Sequence, residues 1–232
     1  DELVAVQRQN LARGFRWMPT PIHDYLDYRA QQRSFSGIAA FYQSTVNVSG
    51  AEKAERYDGA RVSAEFFDVM QVRPQLGRTF RRDEETPGLG NVAVLSYSMW
   101  KDRFGGDSQI LGKAIRANGE PYTVVGVMPP NFSYPGRQAI WMPLQLDATK
   151  LERGSGPGLQ VVARLRPGVS LDVANTDIAG IARRIATEYK VSNEGITASA
   201  RPIIESEIGP EARGLLWTML GAVSLVLLIA CA

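Results

Sequence analysis

The side chains that carry most enzyme chemistry are scarce in this sequence, which holds one histidine, His23, and one cysteine, Cys231. His23 stands next to Asp24, a pairing that suits a general base held by a carboxylate. No serine or cysteine is placed in sequence to serve as the nucleophile such a pair would activate. The expected role of His23 is therefore that of a solvated or loosely hydrogen-bonded side chain in the first turn of a helix. One imidazole and one thiol cannot supply the usual nitrogen and sulfur ligands of zinc. Asp83-Glu84-Glu85 offers three carboxylates but lacks the alternating oxygen ligands and the glycine of a calcium loop. Arg78, Arg81 and Arg82 beside it should pair with these carboxylates or with water, at little net energy. Gly106 to Lys113 (GDSQILGK) is close to a phosphate-binding loop but has one residue too many between its glycines. Ala114 replaces the Ser or Thr after the lysine, and a helical pattern precedes the loop in place of a strand. No catalytic, cofactor or metal site is assigned, and no cofactor is expected.

Composition is ordinary for a folded chain. The 232 residues are 44% hydrophobic and 22% charged, which is enough for one large or two small domains. The net charge is +2 and the basic residues are scattered, so no nucleic-acid footprint is present. Asn47-Val48-Ser49 and Asn131-Phe132-Ser133 match the glycosylation pattern, which matters only in a eukaryotic secretory protein.

The elements that would position these residues fall in a repeated order. Leu3 to Gln7 reads as a strand, Asn10 to Met18 as a loop, and Thr20-Pro21 as a helix start with the hydroxyl as N-cap. Ile22, Tyr25, Leu26 and Ala30 form one apolar face, and a strand over Ile38 to Val48 follows. Ser63 is placed to cap a short helix carrying Phe66, Phe67 and Met70. Further on, the pattern predicts a strand at Asn91 to Ser96 and a helix at Tyr97 to Phe104. A hairpin is predicted about Asn118-Gly119, joining Lys113 to Asn118 and Pro121 to Met128, and another strand over Ala139 to Leu144. Beyond the glycine-rich connector Gly154 to Gly158, Gln160 to Arg166 alternates as a strand. Ser170 caps a helix whose buried face is Ile178, Ile181, Ala182, Ile185 and Tyr189, and Ile196 to Ile204 returns as a strand.

Two strand-helix-strand units separated by about a hundred residues imply an α+β fold. The units would form a ferredoxin-like split βαβ sheet with an inserted mixed α/β part between them. The expected divisions are residues 1–50 and 157–210 for the two units, 51–156 for the insertion, and 211–232 for the start of a transmembrane helix.

That last assignment rests on Leu215 to Ala232, which contain no charged residue over about the length needed to cross a bilayer. Leu215, Leu216, Leu220, Val223, Leu225, Val226, Leu227, Leu228 and Ile229 supply its apolar surface, and Trp217 lies where interfacial aromatics sit. The expectation is a piece of a longer membrane protein, its export segment lying ahead of Asp1.

Several ordered stretches carry a family resemblance: Arg61 to Met70 (RVSAEFFDVM), Val72 to Phe80 (VRPQLGRTF), Val92 to Gly105 (VAVLSYSMWKDRFG), Gly119 to Phe132 (GEPYTVVGVMPPNF) and Val161 to Ser170 (VVARLRPGVS). Together they resemble the MacB-like periplasmic core domain of bacterial FtsX-like ABC transporter permeases, of the acidobacterial duplicated type. The resemblance implies a porter-like subdomain made of the two βαβ units. It implies residence in the bacterial inner membrane with residues 1–210 periplasmic, a separate cytoplasmic ATPase subunit, a second permease copy in a dimer, and a periplasmic or outer-membrane partner. It further implies mechanotransmission of ATP-driven motion, for export of a hydrophobic or peptide-like substrate. The alternative is an extracytoplasmic platform that recruits or regulates an envelope protein.

Overall fold

A computed structural model describes residues 3–49, 54–204 and 218–220. In chain order the elements are β1 (Leu3–Asn10), β2 (Phe15–Met18), α1 (Ile22–Gln31), β3 (Phe35–Ser49), β4 (Ala54–Val62), α2 (Phe66–Val69), β5 (Leu76–Gly77), β6 (Val92–Leu95), α3 (Tyr97–Phe104), β7 (Ala114–Ala117), β8 (Glu120–Val127) and β9 (Ile140–Pro143). They continue with β10 (Gln160–Leu165), α4 (Leu171–Glu188), α5 (Lys190–Asn193) and β11 (Thr197–Pro202). Among the described residues eleven strands join one sheet in the order β11-β1-β10-β3-β4-β9-β6-β8-β5, with β2 paired to β1 and β7 bridging β3 and β8. The fold is mixed α/β.

Alternation along the strands decides which face each residue buries. On β1, Val4 and Val6 turn toward α1 and α4, and the same layer takes Val161 and Ala163 of β10 and Ala198 and Ala200 of β11. Tyr25 and Tyr28 of α1 and Ile178, Ile181, Ala182 and Ile185 of α4 close this core from above. Burial pushes the Tyr25 hydroxyl up to about 12. The reverse face of β10 and β3 carries a second, aromatic core, in which Phe41, Phe66, Phe67 and Trp141 pack edge to face. A third core lies under α3, with Trp100, Ile115, Val124 and Ile140.

β3 is fifteen residues long and belongs to two ladders. Phe35 to Phe41 pair with β10, and Phe41 to Ser49 pair with β4. One continuous strand therefore connects the layer under α1 and α4 to everything that follows it.

Local chemistry explains both the agreements and the departures. The β7–β8 hairpin turns at Asn118 (φ 53°) and Gly119 (φ 88°), the two left-handed residues a two-residue turn requires. Ser170 caps α4 by accepting from the Val173 N–H. Asn10 to Met18 is not a loop throughout, because Phe15 to Met18 pair with the end of β1 as β2. Thr20 is not the N-cap of α1: its backbone is taken by a two-way bridge with Leu159, and Pro21 stands at the cap without a side-chain bond. Ser63 does not cap α2 either, since its hydroxyl accepts from the Ala40 N–H. Tyr189 lies beyond α4, where φ of −116° breaks the helix and turns the ring away from the buried face.

β11 forms one edge of the sheet, and an open edge invites pairing with another chain. Asn175 of α4 reaches over it, accepting from the Ala200 N–H at 2.7 Å and donating to the Ala200 carbonyl at 3.2 Å. The side-chain amide thus imitates the next strand. We expect Asn175→Ala to lower stability by about 1–3 kcal/mol in urea unfolding, because it leaves two backbone groups unpaired. Asn175→Asp should recover part of that loss through the retained acceptor, and no difference between alanine and wild type would refute the edge-capping role.

Candidate functional site

Two features of β1 bear on function: the point where the chain enters and leaves the sheet, and the charge cluster at the strand's opposite end. β1 and β11 are antiparallel neighbours, and Val4 stands opposite Pro202. The chain enters at the start of one strand and leaves at the end of the other, on the same side of the sheet. β1 is flanked by β10 and β11, so both connections are attached to, or next to, a strand held on both edges.

At the far end of β1 the alternation that buries Val4 and Val6 also buries Arg8 and Asn10. Arg8 needs a counter-charge there, and Asp24 of α1 provides it, with Nε of Arg8 3.0 Å from the fully buried carboxylate. Arg153 reaches the other oxygen of Asp24 at 2.7 Å and also binds Asp27, one helical turn further along α1. Asn193 of α5 donates to Asp24 at 2.8 Å, and the Arg153 guanidinium stacks 3.8 Å from the centre of the Tyr189 ring. Arg8 itself donates to the Pro19 carbonyl at 3.1 Å. One carboxylate therefore joins β1, α1, the segment before β10, and α5. Burial, followed by the charge of Asp24, holds the Tyr28 hydroxyl well above the ordinary phenol range.

His23 is adjacent in sequence but takes no part in this cluster. Its Nε2 lies 2.9 Å from the Ala148 carbonyl, and its Nδ1 is enclosed without a partner. The imidazole is half-buried and pins α1 to the turn at Ala148–Lys150, within the solvated or loosely hydrogen-bonded role that the sequence predicts. With Nε2 engaged by the Ala148 carbonyl and Nδ1 enclosed, its geometry is that of a structural tie.

The acidic run is also more structured than its sequence suggests. Glu84 is buried and is gripped by both arms of the Arg78 guanidinium at 3.0 and 2.6 Å, with the Arg81 N–H at 2.8 Å. Burial alone would raise the Glu84 carboxyl, but the Arg78 fork and the Arg81 N–H outweigh it and hold the group below the usual range. Glu85 accepts from the Ala64 N–H at 2.7 Å and pairs with Arg29, while Arg82 pairs with Glu65. Lys113 of the glycine-flanked loop pairs with Asp107, whose carbonyl accepts from the Trp100 indole. That loop is a turn held onto α3. Among the described residues no three histidine, cysteine or carboxylate side chains converge as metal ligands.

Of the ten residues expected to form a membrane anchor, Leu215, Leu216, Trp217, Val223, Leu225, Val226, Leu227, Leu228 and Ile229 lie outside the described residues. Leu220 is described, as an exposed helical residue. Among the described residues no helix is long and apolar enough to cross a membrane.

The geometry can be set beside known proteins. The family model described as the MacB-like periplasmic core domain matches residues 1–181. The periplasmic region of MacB from Actinobacillus actinomycetemcomitans superposes with a TM-score of 0.63 at 18% identity, covering 89% of this chain and 92% of that one. The extracellular domain of the noncanonic ABC-type transporter YknZ from Gram-positive bacteria gives 0.61 at 16% identity, covering 86% of this chain and all of that one. At such identities these two likenesses speak to the fold. No curated protein matches the sequence.

Removing one partner from a buried ion cluster strands the others. Asp24→Ala should destabilise the chain by about 3–5 kcal/mol, because it leaves two guanidinium groups without their shared carboxylate. Arg153→Met should cost less, since its hydrocarbon stem can still lie on Tyr189. Urea melts that rank the two variants in the opposite order would refute the central place of Asp24.

For Glu84 the sign follows from its depressed value. The unfolded state takes up the proton first on acidification, so this contribution is present above the ordinary value of 4.5 and lost as pH falls through the folded one. Glu84→Gln should flatten the pH dependence of stability in that window, and parallel curves for variant and wild type would contradict the assignment.

Proposed function

Since the chain belongs to the MacB-like periplasmic core domain family, the periplasmic part of ABC-type transporter permeases, we propose that it works by transmitting ATP-driven motion across the inner membrane. On this reading β11-β1-β10-β3, with α1 and α4 on one face, is the porter-like split βαβ unit, drawn from residues 1–50 and 157–210. Residues 51–156 form the inserted subdomain, and residues 211–232, including Leu215 to Ile229, begin a transmembrane helix. Hydrolysis takes place on a separate cytoplasmic ATPase subunit, and two permease copies act as a dimer. The exported substrate is hydrophobic or peptide-like.

The observation that carries this reading is the adjacency of entry and exit, with Val4 opposite Pro202 on antiparallel strands. A displacement of either connection is delivered to the same end of one hydrogen-bonded layer. The Asp24 cluster braces the other end against shear. Rigid-body transmission requires those two properties together, stiffness and a common point of attachment.

The test is on the full permease with its ATPase subunit in proteoliposomes. Replacing residues 3–204 by a flexible glycine-serine linker should leave basal ATP hydrolysis in place and abolish substrate movement. Substrate export by the linker variant would eliminate mechanotransmission through this domain.

A second reading, a platform that recruits an envelope protein, is favoured by Leu11, Phe15 and Trp17, which stand exposed about the β1–β2 turn. Under it, Phe15→Ser with Trp17→Ser should release a co-purifying envelope protein while export is unchanged.

A further inference from the structure

The β3–β4 ladder sets Ser44 opposite Gly59 and Thr45 opposite Asp58. The turn leading into β9 runs alongside, fixed by the Ala139 N–H donating to the Asp58 carbonyl at 2.7 Å. Between ladder and turn lies an open cleft of about 370 Å³, lined by polar side chains and by Gly59 and Gly136.

Two features separate this cleft from ordinary surface. Gln138 is buried, with 5% of its surface exposed, and its Oε1 has no hydrogen-bond partner among the described residues. Native structures rarely leave such groups unsatisfied without a reason. At the rim, Asp58 and Arg137 are both exposed and of opposite sign, and neither side chain is engaged by another described residue. The neighbouring clusters behave differently, since Glu84, Glu85, Asp24 and Asp107 are all matched to a cation.

We propose that this cleft binds a small zwitterion of the amino-acid or short-peptide class. The ammonium group lies on the Asp58 carboxylate and the ligand carboxylate on the Arg137 guanidinium, each a charge-assisted contact. Gln138 Oε1 lies against the side-chain-free face of Gly136, where a Cβ would come within 3.1 Å of it, and in the complex the amide turns through that space to accept a second ammonium proton. A lone cation would leave Arg137 repelling it, and a lone anion would face Asp58. A neutral sugar would hydrogen-bond both groups but neutralise neither charge. Only a ligand carrying both signs satisfies the set.

The test is isothermal titration of the whole chain in mild detergent with dialanine, N-acetyldialanine and dialanine amide. Dialanine should bind, and each capped form should bind at least about tenfold more weakly, the loss expected for one charged hydrogen bond. Asp58→Asn should abolish the preference for the free amine, and Arg137→Gln the preference for the free carboxylate. Gln138→Leu should weaken dialanine without lowering the melting temperature, because it removes an acceptor that is unpaired in the folded chain. Equal affinity for the three compounds, or no binding up to about 10 mM, overturns the assignment. Binding here and coupling in the permease are separable: either can fail in its own assay while the other stands.

Discussion

The interaction on which the rest of the fold depends is the fully buried carboxylate of Asp24. A buried charge is tolerated only when it is paired and hydrogen-bonded, and here Arg153 and Asn193 donate to it while Arg8 stands beside it as a counter-charge, from three separate segments. The constraint is reciprocal. Arg8 lies on the inward side of β1 because strand alternation puts it there, and without Asp24 it would bury an unmatched guanidinium. The cluster therefore fixes the placement of α1 over β1 and draws the chain before β10 back to the same layer. Such a network adds little net stability but is costly to break by removing one member.

From that anchor the remaining architecture follows by sharing strands. β3 leaves the layer braced by Asp24 and continues as the floor of the next ladder, so the aromatic core on its reverse face is built on the same backbone. Phe41 shows how tight the coupling is: it pairs with Gln160 on one edge and with Val62 on the other, and its ring packs on Phe66 and Tyr134. A shift of β10 cannot leave β4 unmoved while that residue remains in register.

Sequence signals and structure agree where the responsible chemistry lies within a few residues. Asn118-Gly119 encodes a turn through its own backbone preferences, and Ser170 caps α4 through a bond three residues away. The buried stripe from Ile178 to Ile185 needs only helical periodicity. Failures occur where a distant partner competes for the same group. Thr20 has the residue type of an N-cap, but Leu159, far along the chain, takes its backbone as a bridge. The Ser63 hydroxyl likewise goes to Ala40 and not to its own helix. The Asp24 cluster was hidden for the same reason, since Arg153 is separated from its carboxylates by more than a hundred residues. One local sign was available: Arg8 continues the inward face of Val4 and Val6, and an arginine on a buried face demands an acid.

The mechanical consequence depends on the direction of the load. β1 meets β11 over six residue pairs and β10 over four, all with strands running along the entry and exit axis. A pull applied along that axis must shear these bonds together, whereas a pull across the sheet would open them one after another. Displacing both connections in the same sense leaves the β1–β11 ladder unloaded and passes the load to the β1–β10 ladder. Displacing them in opposite senses loads the β1–β11 ladder directly, at the edge where Asn175 already occupies the outer side of Ala200. The starts and ends of these strands are thus coupled through one ladder, and the Asp24 cluster ties the other end of β1 to α1, α5 and the segment before β10.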